Sequence, residues 1–106
     1  MKKHLLVFVF ALIVFDKSFS QIRVPSLISD NMVLQRDKPV KVWGWASPKE
    51  KISLTLNKKT LKTTTLPEGK WEIILPAQAA ATGQEIVLKG KNEIRIKNVA
   101  FGDVYF

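Results

Sequence analysis

The sequence predicts an all-β protein: an antiparallel β-sandwich, Ig-like or jelly-roll-like, preceded by a signal peptide. Several short segments alternate apolar and polar residues with a period of two, and turn signals rich in Pro, Gly or Asn separate them. Only residues 77–83, AQAAATG, have helical propensity, and so short a segment is not a stable helix by itself, so we expect a loop or a single turn there. Short strands with regular turns and almost no helix are typical of sandwiches.

The first 20 residues have the features of a secretory signal peptide. Two lysines follow Met1, an uninterrupted apolar run covers residues 5–15, and residues 18–20 form a small-x-small cleavage site. A transmembrane anchor is the alternative, but a span needs about 20 apolar residues and this run is shorter and closed by charged residues. We therefore expect residues 21–106 to form one exported domain, periplasmic or extracellular, without a membrane anchor after cleavage.

Residues 39–46, PVKVWGWA, predict the first clear strand of that domain. Val40 and Val42 fall on one face, and a lysine with Trp43 and Trp45 falls on the other. Residues 51–56, KISLTL, follow the same pattern with three apolar residues on one face. Two more strands are predicted at 85–90 and 92–101, with a turn between them.

A hairpin is predicted between residues 60–66, TLKTTTL, and residues 70–75, KWEIIL. Pro67-Glu68-Gly69 lies between them, with Pro suited to the second turn position and Gly able to take a positive φ. Trp71 is in phase with the apolar residues of its strand, so we expect it in the core.

The composition excludes several classes of function. The net charge is +8 at pH 7; three of 17 cationic and one of nine acidic residues lie in the first 20, so residues 21–106 carry +6. The basic residues alternate with Leu and Ile and are not interleaved with stacking aromatics, which indicates solvated strand faces and no nucleic-acid partner. A weak attraction for anionic sugars stays open.

No catalytic, metal-binding or cofactor-binding residue is predicted in residues 21–106. The one histidine is His4, inside the leader, and cysteine is absent, so imidazole bases, thiolates and disulfides are all missing. The serines at 26, 29, 47 and 53 have no histidine to activate them and no Ser-x-x-Lys spacing. The acidic residues lie at predicted turns and strand edges, where we expect them to be solvated or to cap backbone groups.

Trp43 and Trp45 are the candidate site residues. Both side chains should project from the same face of their strand, where they could stack against sugar rings or contact another domain. The alternative is that one or both fill the core.

Three stretches, PSLISDNMVLQRDKPVKVWGWASPKEK (25–51), EGKWEIILPAQ (68–78) and KNVAFGDVYF (97–106), resemble the beginning of bacterial sialate O-acetylesterases, particularly the secreted kind from Bacteroides-like bacteria. The resemblance implies an N-terminal β-sandwich, followed by a Gly-Asp-Val-Trp-like segment and a Gly-Gln-Ser-Asn block that carries the nucleophilic serine. Here Tyr105 replaces the more usual Trp. It also implies that the SGNH-hydrolase domain begins just after Phe106, so no catalytic residue carries over to this chain.

The expected function follows from this resemblance. Residues 21–106 would be the accessory domain of a secreted carbohydrate esterase, and their partner would be a C-terminal catalytic domain. The full-length protein would hydrolyse acetyl esters on sialic acids or other glycans by a Ser-His-Asp mechanism. A self-contained carbohydrate-binding or adhesion module, with no catalysis, is the alternative.

We predict that export removes the leader near Ser20, because the charged start and short apolar run suit signal peptidase processing. Amino-terminal sequencing of secreted protein checks this, and a secreted product that still begins at Met1 would contradict it.

Overall fold

A computed structural model describes residues 21–104; the predicted signal peptide and the last two residues lie outside this range. Its strands form a five-stranded sheet in the order β1-β7-β6-β3-β4 and a two-stranded sheet of β2 and β5. Strands β1 and β7 are parallel, and the other paired strands are antiparallel. The predicted all-β sandwich is confirmed. The strands are β1 (Val33–Gln35), β2 (Val40–Trp45), β3 (Lys51–Leu56), β4 (Lys59–Thr64), β5 (Lys70–Leu75), β6 (Ala81–Lys89) and β7 (Glu93–Gly102).

One apolar layer joins the two sheets. Alternating residues of each strand point into it, as the period of two predicts, and both sheets contribute to a single cluster. Within residues 21–104 the two-stranded sheet has no second apolar layer, so burial against the larger sheet is what keeps it folded. The buried strand residues are Val42, Ile52, Leu54, Leu56, Trp71, Ile73, Leu75, Ile86, Leu88, Ile96, Val99 and Phe101.

Trp71 lies in the core, as predicted. Its side chain is 2% exposed, and its indole N–H donates a hydrogen bond to the Trp45 carbonyl at 3.1 Å. Because this polar group is satisfied, the large apolar ring is buried without leaving an unpaired donor.

The hairpin predicted between residues 60–66 and 70–75 is wrong. The turn itself exists: the Gly69 N–H donates to the Leu66 carbonyl at 2.9 Å, and Gly69 has φ of 87°. However, β4 pairs with β3, and β5 pairs with β2. The turn therefore carries the chain from one sheet to the other. A turn motif specifies a reversal of the chain but not the sheet that the next strand joins.

The hairpin that does form in this region joins β3 to β4. Its two turn residues, Asn57 and Lys58, have φ of 52° and 65°, as a two-residue type I′ turn requires. The pairing runs from Leu56 with Lys59 to Lys51 with Thr64. This turn was not predicted, because Lys58 stands at the second turn position, where glycine is usual.

Strands β6 and β7, predicted as two strands with a turn between them, pair as an antiparallel hairpin. Strand β6 begins at Ala81, so the loop expected over 77–83 is correct for residues 77–80 and wrong for 81–83. The pairing skips one residue in β6 around Gly83, and then one in β7 around Asn98. Both residues have positive φ, 64° and 55°. These two irregularities are β-bulges that compensate each other.

The bulge at Asn98 changes which face the side chains of β7 occupy. Ile96 and Val99 are three residues apart, yet both are buried. In a regular strand one of them would face solvent. The bulge also holds the loop before β1, because the Asn98 amide donates to the side chain of Asn31 at 2.9 Å and the Lys97 N–H donates to the Asp30 carboxylate at 2.7 Å.

We predict that Trp71→Ala lowers the free energy of unfolding by about 3–5 kcal/mol, because it leaves a large cavity between the sheets and removes the hydrogen bond to Trp45. Urea denaturation measures the change. Ile74→Ala is the matched control in the same strand, since Ile74 is 51% exposed. Equal losses in the two variants would contradict this assignment of the core.

Candidate functional site

Trp43 and Trp45 lie on the outer face of β2. The residues that alternate with them, Val42 and Gly44, are buried against the larger sheet. Trp43 is 37% exposed, and Trp45 is half-buried. The predicted shared face is therefore present, and Trp43 does not fill the core.

The two indole rings are in contact but are not coplanar. Their centroids are 5.2 Å apart, and the planes meet at 74°, an edge-to-face arrangement. The guanidinium of Arg23 lies 5.7 Å from the centroid of the Trp45 ring, within the range of a cation–π interaction. The two rings therefore do not form one flat surface. The Trp45 ring contacts both the Trp43 ring and the Arg23 guanidinium.

Arg23 is fixed by backbone pairing rather than by its side chain. Its N–H donates to the Trp45 carbonyl at 2.8 Å, and its carbonyl accepts from the Trp45 N–H at 2.9 Å. This bridge covers part of the edge of β2 and places the guanidinium over the ring. Arg23 is not predictable from the sequence, because a single residue before the first predicted strand has no periodic signal.

Gly44 allows this arrangement. A Cβ atom at this position would collide with the Arg23 carbonyl oxygen and would lie 2.9 Å from Cζ2 of Trp71. Glycine between the two tryptophans therefore lets the Arg23 backbone and the Trp71 indole both approach β2 closely.

Polar groups surround the exposed ring of Trp43. Glu72 is directly opposite it on β5, and Lys70 is opposite Trp45. Glu72 also forms an ion pair with Lys41 at 3.6 Å, in which both side chains are more than half exposed, so the pair adds little stability. We call this surface the tryptophan face. It consists of the outward residues Lys41, Trp43, Trp45, Lys70 and Glu72.

Two depressions flank the tryptophan pair. One, of about 570 Å³, lies beside Trp45, and its polar lining includes Arg23 and Glu68. The other, of about 250 Å³, lies beside Trp43, and its lining includes Glu72 and Leu66. Both are open surface features with aromatic and charged walls, a composition suited to small polar ligands that also have an apolar face.

The serines do not form a catalytic arrangement. Ser26 and Ser29 are exposed in the loop before β1, and Ser53 lies on the outer face of β3 between Lys62 and Lys89 of the neighbouring strands. Ser47 accepts a hydrogen bond from the ammonium of Lys91 at 3.4 Å. An exposed ammonium group is a donor and not a base, so this contact does not activate the hydroxyl.

Residues 21–104 lack the features of a metal site and of a membrane-spanning helix. In this range no three His, Cys, Asp or Glu side chains come together in a way that could hold a metal ion. Nor does this part of the chain contain a helix with the length and apolarity that crossing a membrane requires.

The basic residues of the larger sheet are exposed, and most of them, such as Lys62, Lys89 and Arg95, lie on its outer face, as expected of solvated strand faces. Lys59 is the exception, because it lies opposite buried Leu56 at the edge of the inner face.

Arg95 is the most constrained of these basic residues. Its guanidinium bonds to Glu85 at 2.7 Å and to Glu93 at 2.8 Å, and these hydrogen bonds raise its pKa. The pairs neutralise part of the positive charge at that edge of the face.

The chain resembles known proteins in its three-dimensional structure rather than through a family model. No protein-family model matches the chain, and no curated protein matches it significantly. Among solved structures, it is similar to a carbohydrate acetylesterase from Xanthomonas citri, with a TM-score of 0.76 and 34% sequence identity. The chain is related to a carbohydrate esterase. The similarity covers 78% of this chain but only 19% of that protein, so it concerns a sandwich within a much longer esterase.

We predict that Gly44→Ala destabilises the fold by about 1–3 kcal/mol, because the added methyl group meets the Arg23 backbone and the buried Trp71 ring. Gly102→Ala is the matched control. Among the described residues a Cβ there contacts Cγ1 of Val33 alone, at 3.9 Å, so the substitution should change stability by less than about 0.5 kcal/mol. Denaturant unfolding of both variants tests this, and a neutral Gly44→Ala would show that the close approach does not exist.

Proposed function

We propose that this chain is the N-terminal accessory β-sandwich of a secreted carbohydrate esterase that resembles sialate O-acetylesterases. The observation that carries the proposal is the similarity to part of a carbohydrate acetylesterase, at 34% identity over 78% of this chain. Most of that protein lies outside the match. In this proposal a C-terminal catalytic domain supplies the active site, and export places the enzyme in the periplasm or outside the cell.

The chemistry of ester hydrolysis supports this division of roles. A serine hydroxyl attacks the acetyl carbonyl while a histidine takes its proton and an aspartate orients that histidine. The histidine then gives the proton to the departing sugar oxygen, and water attacks the acetyl-serine to release acetate. Because the only histidine of this chain is His4, within the predicted signal peptide, residues 21–106 contain no imidazole for these proton transfers.

The proposed substrates are acetylated sugars. The solved relative is described as a carbohydrate acetylesterase, which supports an acetylated carbohydrate in general. The resemblance of residues 25–51, 68–78 and 97–106 to sialate O-acetylesterases supports an O-acetylated sialic acid in particular. Acetylated xylan is the main competing substrate.

A self-contained carbohydrate-binding module is the second candidate, and the exposed ring of Trp43 favours it. The gene sequence after the codon for Phe106 separates the two. A Gly-Gln-Ser-Asn-like block followed later by Asp-x-x-His supports the esterase, whereas a stop codon followed by unrelated sequence supports the binding module.

We predict that residues 21–106 release no acetate above a buffer blank from O-acetylated sialic acid, acetylated xylan oligosaccharides or 4-nitrophenyl acetate. A version extended through the catalytic domain should hydrolyse at least one of these substrates, since it adds the serine, histidine and oxyanion donors. Acetate release is measured for both proteins. The matched control is the extended protein with the serine of its Gly-Gln-Ser-Asn-like block replaced by alanine, which should be inactive.

Two results would contradict the proposal in different ways. Turnover by residues 21–106 that survives simultaneous replacement of Ser26, Ser29, Ser47 and Ser53 by alanine would show that the chemistry is assigned wrongly. Inactivity of a folded extended protein on every acetylated sugar would instead exclude the esterase assignment.

A further inference from the structure

We propose that the tryptophan face is a carbohydrate-binding subsite in which one pyranose ring stacks on Trp43. The class of ligand, a carbohydrate, rests on the proposed function. The binding site itself lies wholly within this chain and needs no catalytic domain.

The exposure of Trp43 is the first observation. A sandwich this small gains most from burying its aromatic rings, as it does with Trp71, yet Trp43 is left 37% exposed. The C–H faces of a pyranose are apolar and its rim carries hydroxyl groups. An exposed indole with polar neighbours matches both features of the sugar.

The geometry of the two rings favours stacking of a sugar on Trp43 alone rather than on both tryptophans. Trp45 is already in contact with the Arg23 guanidinium and meets Trp43 at 74°, so the pair cannot hold two sugar rings side by side on one plane. Trp45 acts as a positioning residue: it contacts Trp43 and is itself held by the backbone bridge to Arg23. A ring fixed before binding loses less conformational entropy when a ligand arrives.

The polar groups around Trp43 suit sugar hydroxyls. Glu72 lies opposite Trp43 in the strand register and provides acceptor oxygens, while Lys41 and Lys70 lie on either side of it and provide donors. The depression beside Trp43, about 250 Å³, is smaller than the roughly 300–1,000 Å³ typical of sites for drug-sized ligands. This size fits one sugar unit of a chain whose remainder stays in solvent.

A neighbouring protein domain is the competing occupant, and the path of the chain disfavours it. Gly102 accepts a hydrogen bond from the Arg36 N–H, and Val104 donates to the side chain of Gln35 at 3.1 Å. The chain therefore leaves the sandwich close to the segment that precedes β2. Trp43 lies in the second half of β2, roughly 10 Å along the strand from its first residue.

Isothermal titration calorimetry of the folded 21–106 domain tests the subsite, with acetylated xylotetraose, unmodified xylotetraose and N-acetylneuraminic acid as probes. We expect at least one probe to bind. Trp43→Ala should weaken that binding by about ten-fold or more, and Trp43→Tyr should retain most of it, because an aromatic face remains. Ile74→Ala is the matched control: Ile74 is an exposed apolar residue of the same sheet that lies outside the tryptophan face and outside the lining of the depression beside Trp43, so its loss should leave affinity unchanged. Circular dichroism confirms that each variant is folded.

Three outcomes would overturn the subsite: no binding of any probe, equal binding by the wild type and Trp43→Ala, or an equal loss in Ile74→Ala. If Trp43→Ala instead weakens association with a separately produced catalytic domain and leaves sugar binding intact, the face is an interdomain contact. These results do not depend on acetate release, so the subsite and the esterase assignment can fail separately.

Discussion

The indole of Trp71 connects the core of this sandwich to its outer surface. Its ring fills the layer between the two sheets, and its N–H reaches the carbonyl of Trp45, the same carbonyl that pairs with the Arg23 backbone. A two-stranded sheet by itself is marginal in water. Here burial of Trp71 holds that sheet against the larger one, and its hydrogen bond fixes the end of β2 that presents the tryptophan pair.

Much of the fold could be predicted from residue patterns, because a half-buried strand has a period of two. That period located most of the strands and correctly separated the inward valines of β2 from the outward tryptophans. It could not assign strands to sheets. Pro67-Glu68-Gly69 makes a turn of the expected kind, but the partner of β5 is β2, far earlier in the chain, and such pairing is decided by packing of the whole domain. The bulge at Asn98 could not be predicted either, because a bulge interrupts the alternation of period two on which strand prediction depends.

The candidate site was predictable only in part. Alternation places Trp43 and Trp45 on one face, but exposure depends on what covers that face. The sequence therefore left open the core, a sugar and another domain as partners. Arg23 could not be found at all, because it reaches Trp45 through a backbone bridge and across a separation of 22 positions. The requirement for glycine at position 44 has the same origin, because it arises only when the bridge brings the Arg23 carbonyl close to β2.

Strand β2 therefore satisfies two different requirements on its two faces. Its inward residues must fit the core, where the approach of Arg23 and Trp71 leaves no room for a side chain at Gly44. Its outward residues have more freedom, because Lys41 and Trp43 are exposed and the ion pair of Lys41 with Glu72 contributes little to stability. Binding specificity on the outer face could thus change by substitution at these exposed positions without disturbing the core. Trp45 is the exception, because its backbone carries the Arg23 bridge and its ring supports Trp43. The position and orientation of a ligand on Trp43 would then be set by the core, whereas the chemical identity of that ligand would be set by the neighbouring polar side chains.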